Sequence, residues 1–334
     1  MLENRRTLAW VLPVYNESGN LSRLYERLAG VADSLAPRYR TRFVFVDDGS
    51  ADDSLQQLLQ LRERDPRVEV LSFSRNYGHQ LAVTAGLDFV EADATVVIDT
   101  DLQDPPEVVL ELVDRWEAGA DVVYAQRRSR KDTLAKRGTA FLFYSVLERL
   151  ASVKIPRNTG DFRLMDRRVV EELRKYREHD RFLRGLVSYV GFRQEAVLFD
   201  RDARFAGKSG YPLKKMLRFA ADGILGFSTV PLQLISRVGF AVSALALLGI
   251  IYALVIRLFL PDAAVPGWAF QTIATFFIGG IQLVMLGVLG SYVGRIYVEV
   301  KQRPLYTMGM VAANGEGHPE TLAEATRMIE RVAP

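Results

Sequence analysis

The sequence predicts an α/β protein with a mostly parallel sheet covered by helices on both faces, followed by two helices long enough to cross a membrane. Three observations carry this expectation. Over residues 1–200, short apolar runs alternate with stretches of helical periodicity. Three of those runs end in polar clusters, Pro13-Val14-Tyr15-Asn16-Glu17, Asp47-Asp48-Gly49-Ser50 and Asp99-Thr100-Asp101. Two uncharged stretches, Val238 to Ile256 and Gly267 to Gly294, each approach or exceed the ~20 residues a bilayer requires.

Taken in order, Leu8-Ala9-Trp10-Val11-Leu12 reads as a first strand that stops at Pro13. Leu21, Leu24, Leu28, Val31 and Leu35 then recur at helical spacing. Phe43-Val44-Phe45-Val46 reads as a second strand, and Leu55, Leu58, Leu59 and Leu61 as the next helix. Val68–Leu71, Thr95–Ile98 and Asp121–Tyr124 supply three more strands. In such a sheet ligands bind at the carboxyl ends of the strands, so the three polar clusters belong on one edge.

The stretch from Asp99 to Glu107 divides in two. If the chain is extended, Asp99, Asp101 and Gln103 face one way and offer three oxygens. Two carboxylates and an amide suit a hard cation, Mg²⁺ or Mn²⁺, with a nucleotide diphosphate completing its shell. Asp104-Pro105-Pro106-Glu107 carries a helix-start signature, an acid at the cap, proline at the first turn and glutamate three positions on. At Asp47-Asp48, adjacent side chains point oppositely, so one acid is expected to meet a ribose or base and the other to cap a helix with Ser50. Asn158 to Arg167 is read as a mostly polar loop, with Gly160 before Asp161.

Basic residues follow. Arg127, Arg128, Arg130, Lys136 and Arg137 come after the fifth strand, and Arg201, Arg204 and Lys208 lie farther on. Such side chains grip phosphate, arginine in bidentate fashion. Gly207-Lys208-Ser209 is not a P-loop, because Asp202 stands where the motif needs glycine.

Composition excludes several classes. The chain of 334 residues has 43 Lys and Arg against 40 Asp and Glu, which argues against nucleic-acid binding driven by bulk charge. Absence of cysteine removes disulfides and thiolate metal sites. His79, His179 and His318 lack metal-ligand spacing. The N-terminus has no signal-peptide core.

Leu213, Met216, Leu217, Ala220, Ile224 and Phe227 form an apolar stripe expected to lie in the membrane interface. Lys214, Lys215, Arg218 and Arg237 precede the first span, Arg295, Lys301 and Arg303 follow the second, and the turn Pro261–Pro266 has no lysine or arginine. Both termini are therefore expected on the cytoplasmic side. Gly279, Gly280, Gly287 and Gly290 permit close helix packing. The tail from Pro304 is expected to be loosely held.

Val11-Leu12-Pro13-Val14-Tyr15-Asn16-Glu17, Asp47-Asp48-Gly49-Ser50, Ser74-Arg75-Asn76-Tyr77-Gly78 and Asp99 to Pro106 together resemble glycosyltransferase family 2, and within it the polyprenyl-phosphate glycosyltransferases that include dolichol-phosphate mannose synthase. Asn158 to Arg167, Phe199-Asp200-Arg201 and the two C-terminal spans resemble its bacterial GtrB-type glucosyltransferases. The resemblance runs from about Leu8 to Leu305. It implies a GT-A, Rossmann-like catalytic domain over 1–210, an interfacial helix over 211–230, a transmembrane hairpin over 231–300 and a cytoplasmic tail over 301–334.

It also implies an inverting transfer at the cytoplasmic face of the plasma (inner) membrane, by a multi-pass homo-oligomer. A sugar, glucose from UDP-glucose, would pass to polyprenyl (undecaprenyl) phosphate. Mannose, a modified arabinose or an N-acetylhexosamine are the alternatives, and a non-catalytic nucleotide-sugar scaffold the reading from another class. On the matching positions Pro13, Tyr15, Glu17 and Asp47 would hold the nucleotide, and Asp99, Asp101 and Gln103 the Mg²⁺ or Mn²⁺. Arg127 and Arg137 would grip the acceptor phosphate, and Arg201, Arg204 and Lys208 close over the donor. Asp161 would orient donor or acceptor, with general base as its second role.

Overall fold

The computed structural model describes residues 5–128, 156, 158–200, 230–259 and 267–313. Arg137, Arg201, Arg204, Lys208, the expected interfacial helix and the turn between the spans lie outside the described residues, as does the chain after 313. The chain forms two compact units. One comprises Met1–Glu148, Val153–Met216 and Pro304–Pro334, and the other Arg149–Ser152 and Leu217–Arg303.

The first unit has a GT-A-like α/β architecture. Its described elements are β1 (Arg6–Val14), α1 (Leu21–Leu35), β2 (Tyr39–Asp47), α2 (Ser54–Arg64), β3 (Val68–Phe73), α3 (His79–Phe89), β4 (Ala94–Val97), a 3-10 turn (Pro106–Val108), α4 (Val109–Glu117), β5 (Val122–Arg127), β6 (Thr159–Asp166), α5 (Arg167–Arg174), α6 (Leu183–Tyr189), β7 (Gln194–Phe199) and β8 (Met308–Ala312). The strands form one sheet in the order β7-β5-β6-β4-β1-β2-β3-β8.

The sheet is more mixed than expected. β1 pairs in parallel with β2 and β4, β2 with β3, and β5 with β7. β6 runs antiparallel between β4 and β5, and β8 antiparallel along β3. The expected polar loop around Asp161 is therefore strand β6. Its period of two was present in the sequence: Phe162 and Leu164 join the apolar core, while Asp161, Arg163 and Met165 take the opposite face. Charged residues on that second face disguised the alternation.

Residues of β1 are buried on both faces, as a sheet covered on both sides requires. Leu8, Trp10, Leu12 and Val14 share a core with Leu21, Leu24 and Leu28 of α1 and with Val109, Leu112 and Val113 of α4. On the other side α3 approaches so closely that a Cβ on Gly86 would lie 2.3 Å from Val11 Cγ1. Neither α3 nor its contact with β1 was expected from the sequence.

The loose tail gives way, up to residue 312, to a packed strand. Leu305, Tyr306, Met308 and Val311 are buried, and the Tyr306 ring stacks on Phe73 at 5.1 Å. Tyr306 Oη donates to Asp88 Oδ2 at 2.7 Å, and Arg177 pairs with the same carboxylate. Burial, with Asp88 beside it, pushes the Tyr306 hydroxyl well above its ordinary pKa.

The second unit contains α7 (Val230–Phe259) and α8 (Trp268–Val300). Leu232–Gly249 and Phe277–Val300 have mean hydropathies of 1.6 and 1.7, and neither window is buried within the chain. Both helices are long and apolar enough to cross a membrane. Gly239 of α7 faces Met285 of α8, where a Cβ would lie 3.1 Å from Cε. Among the described residues, a Cβ at Gly279, Gly280, Gly287 or Gly290 would meet no neighbouring atom within 4 Å.

Candidate active site

Register brings Pro13, Asp47, Asp99, Asp161 and Arg127 to one edge of the sheet. β1 ends beside β2 with Val14 opposite Asp47. The Thr100 hydroxyl donates to the Pro13 carbonyl at 2.9 Å, tying the loop after β4 to the end of β1. Between β4 and β6 the pairing runs from Ala94 opposite Asp166 to Val97 opposite Arg163. Continued two residues, that register sets Asp99 against Asp161. Arg127 ends β5 at the same edge, where its N–H donates to the Asn158 carbonyl at 3.1 Å. An antiparallel β6 is what delivers Asp161 here, because its first residues lie where β4 and β5 finish.

Asp161 is a buried carboxylate, 2% exposed. Its Oδ1 accepts from Arg184 Nε at 2.8 Å, and its Oδ2 from Gln80 Nε2 at 3.1 Å and Arg184 Nη2 at 3.4 Å. His79 Nε2 lies 3.1 Å from the same Oδ2. Burial alone would raise the pKa of this acid. The His79 hydrogen bond and the charge of Arg184 outweigh it and hold the carboxyl well below the usual range.

Asp99 shows the opposite balance. Burial, with Asp161 and Asp101 nearby, pushes its carboxyl up despite His79. Its Oδ1 is buried and receives no hydrogen bond, and His79 Nε2 stands 3.6 Å away. For His79, burial lowers the ring pKa, but Asp161 and Asp99 more than compensate and raise it.

The segment after β4 is not the extended ladder expected. β4 stops at Val97, and Leu102 has φ +59°, a left-handed conformation uncommon for a branched side chain. The turn lets the Gln103 N–H reach back to Asp101 Oδ1 at 3.1 Å. Asp99, Asp101 and Gln103 thus share one tight loop, and strict alternation along a strand does not describe them. Among the described residues no group of three or more His, Cys, Asp or Glu side chains is arranged to hold a metal ion.

The helix-start reading of Asp104 is overturned. The 3-10 turn begins after Pro105 without a side-chain cap, and Asp104 is fully buried with Arg127 Nη2 3.7 Å from its Oδ1. Gly160 makes room for this pair: a Cβ there would meet Arg127 Nη2 at 3.4 Å and Asp104 Oδ2 at 3.8 Å. Glu107 does not close a capping box. It pairs with Arg27 of α1 at 2.6 and 3.0 Å.

The paired acids after β2 both serve the fold. Asp47, 1% exposed, accepts from the Ser50 N–H at 3.1 Å and from the Ser72 hydroxyl at 2.8 Å. Asp48 does not cap a helix. It accepts from the N–H groups of Tyr77 at 2.6 Å and Gly78 at 2.9 Å, and from Asn76 Nδ2 at 3.0 Å. Gly49, at φ +66°, must be glycine, since a Cβ would lie 2.6 Å from the Arg75 carbonyl carbon. Asp48 thereby sets the start of α3, which carries His79 and Gln80 to Asp161.

Tyr15 stands 49% exposed just past β1, and Glu17 Oε2 accepts from Asn20 Nδ2 at 2.5 Å. Arg163, next but one to Asp161, is buried and donates Nη2 to the Gly160 carbonyl at 2.9 Å; burial lowers its pKa to about 10.

His79, Gln80, Asp104 and Arg184 were not singled out from the sequence as site residues. The Ser74–Gly78 motif ends directly before His79, and Asp104 falls inside the Asp99 to Pro106 motif, but nothing in the residue order marked Arg184.

The profile of the family described as "Glycosyl transferase family 2" matches residues 9–174. An uncharacterized glycosyltransferase, YkcC of Bacillus subtilis, is 47% identical over 89% of this chain and 91% of its own length. The SfII prophage-derived bactoprenol glucosyl transferase of Shigella flexneri is 38% identical over 93% of this chain and 99% of its own. Among solved structures, glucosyl-3-phosphoglycerate synthase from Mycobacterium tuberculosis, crystallised with Mn²⁺, UDP and phosphoglyceric acid, is a distant likeness. It is 19% identical with a TM-score of 0.46, covering 66% of this chain and 76% of that one.

Proposed function

The chain belongs to glycosyl transferase family 2, and from that premise we propose that it moves a sugar, glucose from UDP-glucose, onto polyprenyl phosphate at a membrane surface. The observation that carries this reading is the meeting of the Asp99–Gln103 loop with the Asp161–Arg184–His79 cluster at the carboxyl edge of the sheet. The relative named as a bactoprenol glucosyl transferase supports the acceptor class, and helices α7 and α8 suit an enzyme whose acceptor resides in a bilayer. The flanking charges favour a plasma-membrane protein with its catalytic unit and both termini in the cytoplasm.

The donor set fits a divalent cation. Asp99 Oδ1 is a buried carboxylate oxygen without a hydrogen bond, and Asp101 lies in the same turn with Gln103. Asp99 and Asp101, with Gln103 beside them, would hold Mg²⁺ or Mn²⁺, which when bound neutralises charge on the leaving diphosphate. Pro13, Tyr15, Glu17 and Asp47 would frame the nucleotide. For Asp47 this is an indirect role through the turn it holds, because its carboxylate is buried and engaged with Ser50 and Ser72.

The chemistry asks little of a general base. The nucleophile is a phosphate oxygen whose second pKa is about 6, so it is largely ionised at neutral pH. Asp161 suits orientation better than proton abstraction, because both its oxygens accept hydrogen bonds and its pKa is lowered. It fixes the heads of His79 and Arg184, which are 43% and 29% exposed. Arg127 and Arg137 would receive the acceptor phosphate, and Arg201, Arg204 and Lys208 the donor diphosphate. Direct attack by the acceptor inverts the anomeric centre, and rate comes from positioning and charge stabilisation.

The deciding assay uses the full chain in bilayers with undecaprenyl phosphate and a panel of radiolabelled nucleotide sugars, with and without EDTA. Lipid-linked glucose that disappears with EDTA and with Asp101→Ala is the expected result. Transfer of another sugar reassigns the donor, EDTA-insensitive transfer removes the cation, and no lipid-linked product from any donor overturns the proposal.

A further inference from the structure

Gln80 occupies a position that its chemistry explains better than packing does. It lies in the first turn of α3 and touches two other elements. Its Nε2 donates to Asp161 Oδ2 of β6 at 3.1 Å, and its Oε1 accepts from the Leu183 N–H, at the start of α6, at 2.9 Å. The next residue, Arg184, donates to both oxygens of the same Asp161. Gln80 therefore reaches Asp161 twice, directly and through the helix that carries Arg184.

The amide orientation is settled by its partners. A backbone N–H only donates, so the carbonyl oxygen must face Leu183. An ionised carboxylate only accepts, so the NH₂ must face Asp161. A neutral group with a donor on one end and an acceptor on the other satisfies both contacts. Glutamate at this position has nearly the same shape but sets a carboxylate against the buried Asp161. Methionine has similar length and supplies neither bond.

We propose that Gln80 is a positioning residue for the transfer reaction: it holds Asp161 and the start of α6 in register, so that the Arg184 and Asp161 heads are aligned when donor and acceptor meet. The inference rests on the glycosyltransferase reading above. It concerns alignment in the transition state, so it predicts an effect on kcat and little on KM.

The test measures kcat, both KM values and the thermal midpoint for wild type, Gln80→Glu and Gln80→Met, each as the full chain in bilayers. Misplacement at a reacting centre lowers rate by up to about a hundredfold, so kcat is expected to fall about tenfold for Gln80→Met and about a hundredfold for Gln80→Glu. KM values should stay within about threefold, while the midpoint of Gln80→Met falls by no more than the few degrees that two lost hydrogen bonds imply. Wild-type kcat in Gln80→Met overturns the proposal, as does a fall in the midpoint with kcat unchanged. Equal losses in the two variants also overturn it, because a packing role does not distinguish charge. Should Gln80→Glu fail to fold, Gln80→Met alone decides by its kcat. Absence of lipid-linked product from wild type with every donor overturns the functional reading instead, and this inference with it.

Discussion

Asp48→Ala probes how far the fold around the second acidic pair reaches into the site. Asp48 is 3% exposed and gathers three donors from the Asn76–Gly78 loop, at 2.6, 2.9 and 3.0 Å. Alanine leaves the Tyr77 and Gly78 N–H groups without their acceptor, while Asn76 Nδ2 keeps the backbone carbonyl of residue 48, at 3.2 Å. A fully buried N–H left unmade costs about 1–3 kcal/mol, but Tyr77 and Gly78 are only half-buried and water replaces part of the loss, so about 1 kcal/mol each is the appropriate scale. The sum is about 2 kcal/mol, which for a unit of this size lowers the thermal midpoint by about 4–8 °C. The same loop leads into His79 and Gln80, so kcat measured well below the transition should fall by about tenfold or more, as expected when a site residue is displaced. Asp48→Asn keeps one acceptor and should lie between alanine and wild type. Differential scanning fluorimetry and the lipid-linked product assay read the two effects. A variant that melts with wild type refutes the hydrogen-bond account. One that melts early but turns over normally refutes the link from this loop to the site.

Three further outcomes follow from the same geometry. Asp161→Asn should retain measurable transfer, because the residue orients its neighbours; complete loss with an intact fold by circular dichroism would return Asp161 to the role of base. Glu107→Ala removes a partly exposed pair with Arg27, 52% and 27% exposed, and should cost about 0.5 kcal/mol with transfer unchanged, as chemical unfolding and the assay will show. Asp65 is buried against Arg67 and Tyr25; burial opposes its ionisation, but their hydrogen bonds hold its pKa below the ordinary value. A depressed folded pKa contributes stability that is present above the unfolded value of about 3.9 and lost as pH falls below it. Stability measured across pH 3–6 should therefore drop more steeply at its acid end in wild type than in Asp65→Asn, and parallel curves would contradict this.

Much of the site was legible in the residue order. Pro13, Asp47, Asp99 and Arg127 fall at strand ends because apolar runs stop there, and runs that end in polar clusters mark the carboxyl edge of such a sheet. The two apolar helices were legible for a simpler reason, since an uncharged stretch of bilayer length depends on composition alone. Other features were hidden because they depend on pairs distant in sequence. Asp104 looks like a helix cap when only its neighbours are read, and becomes a buried partner of Arg127 once β5 lies beside it. β6 reads as polar because its charged face is turned to the site.

Residues 305–312 look like a tail until β3 offers a strand edge and Phe73 a ring to stack on. Residue order dictates which segments are apolar, where they stop and which acids follow them, because burial and turn chemistry act on near neighbours. The meeting of His79, Gln80, Asp161 and Arg184 comes from the packed chain alone. Their bonds join α3, β6 and α6 across as many as 103 positions, and no local propensity encodes the register that closes that distance.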